Sequence, residues 1–141
     1  MAPPLRETPG AEVKVIHPHQ REVEVASGAM TRLAGVSQGT VGAQGIYLAL
    51  ATIPPGQRSS PHWHTNCESA IHVTRGRGRF LVGEGLRTSL EIGPGDFIYI
   101  PPGAIHAPVN DSTTEPLELV VARNTPEEIV VEYQPSGGPL P

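Results

Sequence analysis

The chain has 141 residues with ten basic and fourteen acidic side chains, a net charge of −4 with neutral histidines. That length suits one domain, and the mild acidity argues against a nucleic-acid groove, which needs clustered Lys and Arg to neutralise phosphate. Cys67 is the single cysteine, so no internal disulfide forms, as suits a reducing cytoplasm.

No run approaches the ~20 apolar residues of a membrane-spanning helix, and residues 1–12 lack the apolar centre of a secretory signal. A cytoplasmic protein with no membrane partner is expected. Residues 1–12 are Pro-rich and aperiodic and read as a flexible arm. A single domain is expected over 13–134, with a flexible tail over 135–141. Glu12 to Ile16 is a candidate short strand. Residues 20–26 alternate polar and apolar as a half-buried strand does. A polar, Gly-containing stretch follows, and Gly45 to Ile53 is a nearly continuous apolar run closed by Pro54-Pro55-Gly56. Further strands are expected at Ser69–Arg75, Arg79–Val82, Thr88–Ile92, Phe97–Ile100, Leu117–Ala122 and Ile129–Tyr133. Gly83–Gly85 and Gly93-Pro94-Gly95 supply hairpin chemistry between them. Thr125-Pro126-Glu127-Glu128 has the form of a helix start, but is too short to matter. Sixteen Gly and sixteen Pro punctuate β-branched runs, so they read as turns of an all-β sandwich or barrel.

The chemistry-bearing residues are histidines. His62 and His64 flank Trp63, so on an extended segment both leave the same face, and Glu68 follows at the same parity. Imidazole and carboxylate together suit Mn, Fe, Ni, Cu, Co or Zn. A His-x-His pair alone is weak, since surface histidines produce it by chance. The wider frame is Gly56-x5-His62-x-His64-x3-Glu68, followed by Gly95-x5-Pro101-x-Gly103-x2-His106-x3-Asn110.

These two spaced motifs resemble the signature motifs of the cupin superfamily, over about residues 45–122, as in its small single-domain RmlC-like members. The resemblance implies a double-stranded β-helix, a jelly-roll barrel. It also implies one divalent transition metal ion held in the barrel mouth by His62, His64, Glu68 and His106. Seven residues separate Glu68 from Gly76 where the family usually has six, and a one-residue bulge after Glu68, or a shifted turn, is expected to absorb the difference. Pro101-Pro102-Gly103 makes a rigid turn able to bring His106 back across the barrel.

Around that set, Tyr99 is the candidate phenolic group near the metal, and Glu68 a candidate proton acceptor. His72 and Arg79 are candidate pocket residues beside Phe80, although packing is the plainer role for His72. Cys67 falls on the opposite parity and reads as a buried structural thiol. Asp96 and Asn110 are expected to fix turns.

Three function classes remain open, because the fold does not fix the reaction. A metal-dependent oxidoreductase of dioxygenase type acting on a small molecule leads. A redox-neutral isomerase or decarboxylase, with Arg77 or Arg79 clamping an anionic substrate, is second, and a non-catalytic ligand-binding module is third. A homodimer is expected, formed through outer sheet faces or exchanged N-terminal strands.

Overall fold

The computed structural model describes residues 10–25 and 27–134. Residues 1–9 of the arm expected over 1–12, and the tail expected over 135–141, lie outside the described residues. The strands are β1 Glu22–Val25, β2 Thr31–Val36, β3 Tyr47–Ile53, β4 His62–His64, β5 Ser69–Arg75, β6 Gly78–Val82, β7 Thr88–Ile92, β8 Phe97–Ile100, β9 His106–Asn110, β10 Leu117–Arg123 and β11 Val130–Glu132. They form two antiparallel sheets, a six-stranded one in the order β1-β2-β3-β10-β5-β8 and a five-stranded one in the order β11-β4-β9-β6-β7. The two sheets face each other as a jelly-roll barrel.

Period-two burial explains how the sequence selects the inner faces. In β3, Tyr47, Ala49, Ala51 and Ile53 are buried while Leu48 and Leu50 are exposed. In β10, Leu117, Leu119, Val121 and Arg123 point inward. Ile53, Val73, Phe80 and Leu119 are almost fully enclosed in the main core cluster between the sheets. Each such side chain contributes roughly 1.5–3 kcal/mol by leaving water.

Glu12 to Ile16 is not a strand, because these residues pair with no neighbour and most are exposed. β2 lies in the polar, Gly-containing stretch, where the sequence pattern predicts no strand. Its alternation is masked by Arg32, which points inward opposite Ala51 on β3. Gly93-Pro94-Gly95 does not close a hairpin, since β7 and β8 belong to different sheets. It turns the chain from one sheet to the other, with the Gly93 N–H donating to Asp96 Oδ2 at 2.7 Å. Asn110 pins a second corner by donating to Ile53 O and Glu115 O while accepting from the Ser112 N–H. Residues 124–127 form bends rather than a helix, a geometry that matters for Glu128.

Tyr47 sits where β3 meets the ion pairs described below. Its O–H donates to Glu24 Oε2 at 3.1 Å, and burial, chiefly, pushes its pKa up to about 12. An unfolded tyrosine ionises near 10, so the stability carried by neutral Tyr47 is intact below pH 10. It is lost as pH rises from 10 towards 12. In a phenolate absorbance titration, one tyrosine is expected to ionise only together with unfolding, and Tyr47→Phe should remove that step. Three tyrosines titrating independently of unfolding would contradict this.

Candidate metal centre

β4 is too short for a core strand of its own, yet its alternation buries both imidazoles and leaves Trp63 on the other face. His106 opens β9 directly opposite His62. The turn before it needs a residue in the left-handed region, which Gly103 supplies at φ +81°. The Gly103 N–H donates to His64 O at 2.8 Å, so the turn is tied to the strand it must face. The ring centroids stand 4.5 Å apart for His62 and His106, 5.0 Å for His62 and His64, and 5.2 Å for His64 and His106. One nitrogen from each ring lies within 4.8 Å of the others.

Backbone carbonyls set the tautomers. Ser60 O lies 2.7 Å from His62 Nδ1, and Ala104 O lies 2.8 Å from His106 Nδ1. A carbonyl only accepts, so each Nδ1 carries the proton and each Nε2 keeps its lone pair. Burial lowers the pKa of His62, and burial together with its histidine neighbours takes His106 down to about 3. Both rings are therefore neutral at physiological pH. Three buried imidazoles converging on one point are a donor set that fits a divalent transition metal.

A carboxylate joins them. Glu128 Oε2 lies 2.7 Å from His64 Nε2, while Glu128 Oε1 accepts from Arg32 Nη2 at 2.6 Å. Arg123 Nη1 approaches Glu128 Oε2 at 2.8 Å as an ionic contact rather than an aligned hydrogen bond, because that nitrogen finds no bonded acceptor. Burial opposes ionisation of Glu128. His64, Arg32 and Arg123 outweigh that cost and hold the carboxyl well below the usual range. Arg32 also pairs with Glu24 at 3.2 Å, and the Arg123 guanidinium lies 3.5 Å over the Tyr47 ring. The four groups border a cavity of ≈ 240 Å³ whose other walls are largely apolar, among them Phe80, Ile100, Leu119 and Val121.

The structure brings together three of the four residues expected as ligands. Glu68 does not join them. It is exposed and accepts from the Tyr99 O–H at 2.6 Å. Parity along one strand cannot be carried from His64 to Glu68, because the chain leaves β4 at His64 and crosses to the other sheet before β5 begins. β5 has the expected irregularity after Glu68, at Thr74, since Leu119 pairs with Val73 and Glu118 with Arg75, and the Thr65–Glu68 connection carries the chain between the sheets. Ser69 consequently takes the inward position at the cavity.

Tyr99, expected near the metal, lies on the outer face of β8 and is 62% exposed. His72 is not a pocket residue either, since it faces outward and stacks on Phe97 at 4.3 Å. Arg79 points away from the cavity and pairs with Asp111 at 2.9 Å. Its neighbour Phe80 is the one that lines the wall. Cys67 is buried, and burial raises its pKa.

Sequence reasoning missed Arg32, Arg123, Glu128 and Ser69. Two signals were available. Extending the Leu117–Ala122 alternation by one residue puts Arg123 on the buried face. Counting the usual six residues backwards from Gly76 puts the ligand position on Ser69 rather than Glu68. Glu128 had no such signal, because its placement depends on the bends that precede β11.

The sequence pattern of the family described as "Cupin domain" matches residues 49–123. The chain is 37% identical over 92 residues to germin-like protein subfamily T member 3 of Arabidopsis thaliana, covering 63% of this chain and 40% of that protein. It therefore spans well under half the length of this curated relative. Among solved structures, the polyketide cyclase RemF of Streptomyces resistomycificus superposes with a TM-score of 0.71 at 22% identity, over 89% of this chain and 88% of that one. A Bacillus subtilis oxalate decarboxylase with Mn(II) centres superposes with a TM-score of 0.68 at 23% identity, over 91% of this chain and 35% of the other. At those identities the two structures establish the fold alone. The family match spans more than half of the chain, both signature motifs fall on the strands and turns just described, and the chain belongs to the cupin family.

Proposed function

We propose that this chain is a metal-dependent enzyme acting on a small molecule bound in its barrel, with a reaction of dioxygenase type. The observation that carries the reading is the convergence of His62, His64 and His106, with His62 and His106 fixed by backbone carbonyls to present Nε2. The set stands at the edge of a cavity of ≈ 240 Å³. That volume suits a small ligand rather than a drug-sized one. A divalent ion there would supply Lewis-acid polarisation and open coordination positions. Phe80, Ile100, Leu119 and Val121 would exclude water and hold the apolar part of a substrate. Arg32 and Arg123 would face its polar end beside the ionised Glu128 carboxylate.

A second reading, redox-neutral isomerisation or decarboxylation, is favoured by the two arginines that line the pocket, which would bind an anionic substrate. The clamp once expected from Arg79 is spent on Asp111 outside the barrel, so the cationic groups available to the pocket are Arg32 and Arg123. The deciding experiment loads the protein separately with Fe, Mn, Ni, Cu, Co and Zn. Each form is offered enolisable phenols, keto acids and sugar phosphates under air and under argon. Oxygen uptake matched to product is the expected result. Equal turnover under argon would replace it with the redox-neutral reading, and ligand binding without turnover would leave a non-catalytic module.

The proposed homodimer finds support on the outer face of the six-stranded sheet. Register connects Val23, Leu33, Leu50, Val120, His72 and Phe97 in one row across all six strands. Within it Val23 is 72% and Phe97 80% exposed, an apolar stripe of the kind that association covers. Light scattering is expected to give twice the chain mass, and a Leu50→Glu, Phe97→Glu double variant should run as a monomer. A wild-type monomer at micromolar concentration would sink the idea.

A further inference from the structure

We infer that Glu128, and not the motif residue Glu68, is the carboxylate ligand of the metal centre, delivered from the turn before β11 and held in place by Arg32 and Arg123. The inference rests on reading His62, His64 and His106 as metal ligands. The position from which β5 would send a carboxylate inward is occupied by Ser69, a buried hydroxyl. Glu68 is turned to the opposite side of the strand and bonded to Tyr99. The centre would therefore have three imidazoles and no anionic donor unless another element provides one.

Glu128 meets that need. Its Oε2 lies 2.7 Å from His64 Nε2. Two donors bound side by side to one ion, each at about 2.0–2.2 Å, stand on the order of 3 Å apart. The observed separation is thus close to that of neighbouring ligands for His64 alone. Glu128 stands outside the set of His62, His64 and His106 nitrogens that lie within 4.8 Å of one another, so its side chain must turn towards His62 and His106 to share an ion with them. His64 Nδ1 is buried without a hydrogen-bond partner, unlike the corresponding atoms of His62 and His106. No second bond commits the His64 ring to keep Nε2 on the carboxylate when an ion competes for it.

Arg32 and Arg123 explain why the carboxylate can stay in the barrel. Arg32 bonds Oε1, leaving Oε2 directed at His64. Arg123 approaches Oε2 from its seat on the Tyr47 ring. Neither guanidinium can be deprotonated to release its charge. The two cations fix the angle of approach as outer partners of a ligating carboxylate do.

The experiment titrates metal-free protein with Co(II) and records both the dissociation constant and the visible ligand-field spectrum. Wild type, Glu128→Gln, Glu128→Asp, Glu68→Gln and His106→Ala are compared after thermal melts confirm that each is folded. Glu128→Gln is expected to weaken Co(II) binding by at least ~10–100-fold and to change the spectrum. Glu128→Asp, which keeps the charge on a shorter arm, should change the spectrum with a smaller loss. Glu68→Gln should match wild type in both.

Weaker binding by Glu128→Gln with an unaltered spectrum would overturn the inference, because Glu128 would then act only by orienting His64. Loss confined to Glu68→Gln would overturn it in favour of the motif residue. If the wild type bound cobalt and His106→Ala did not, while Glu128→Gln behaved as wild type, the metal reading would survive and this inference would fall. Absence of binding by wild type would remove both.

Discussion

His106→Ala is expected to lose stoichiometric metal when purified without added metal, while His72→Ala retains it. The contrast separates position from residue type. His106 is buried at the head of β9, opposite His62, with its Nδ1 proton fixed by Ala104 O. His72 lies on the outer face of β5 against Phe97. Removing a ligand from a set of three should exceed the roughly 10–100-fold loss that outer-shell partners control. Elemental analysis gives the stoichiometry, and a Co(II) titration gives the affinity. Equal metal content in the His106→Ala protein and the wild type would mean that the three rings do not form the centre.

The three histidines were legible because the motifs that carry them are local on each side. His62 and His64 share a face through the period of an extended strand, and the Pro101-Pro102-Gly103 turn has fixed geometry wherever it occurs. The strand runs Ser69–Arg75, Thr88–Ile92 and Phe97–Ile100 could be read for a similar reason, since β-branched and aromatic residues cluster between turn residues. Glu68 shows where such reading stops. Its parity with His64 holds only along an unbroken strand, and the chain changes sheets between them.

Charge inside the barrel was harder still. Arg32 and Arg123 occupy inward positions that alternation assigns to apolar residues, and Glu128 follows a Thr-Pro-Glu sequence with the form of a helix cap. Each looks like a surface residue alone. They are tolerable inside only together, because the energy of each depends on partners far away in the chain, 96 residues apart for Arg32 and Glu128. Pairwise compensation of this kind leaves no trace in a local pattern.

Arg123→Met tests that compensation and carries the largest expected loss of stability. The Arg123 side chain is 3% exposed and that of Glu128 17%, so both have given up most of their hydration. Removing one partner of such a pair typically costs 3–5 kcal/mol, because the remaining charge stays buried. For a chain of this size that corresponds to a fall in Tm on the order of 10 °C. Arg75→Met is the control. Arg75 pairs with Glu115 in solvent, with 53% and 54% of the two side chains exposed, and an exposed pair is worth about 0–1 kcal/mol. The double variant Arg123→Met, Glu128→Leu should recover much of the single-variant loss, since an apolar replacement of both members of a buried pair is often neutral or better. It should recover no metal affinity if Glu128 is a ligand. A cycle through the four proteins isolates the coupling between the two residues. An Arg123→Met protein melting within 2 °C of wild type would mean that Arg32 and His64 hold Glu128 without Arg123. The same measurement thus bears on the fold and on the centre, because the arginine that stabilises the β10 end of the barrel also holds the carboxylate at His64.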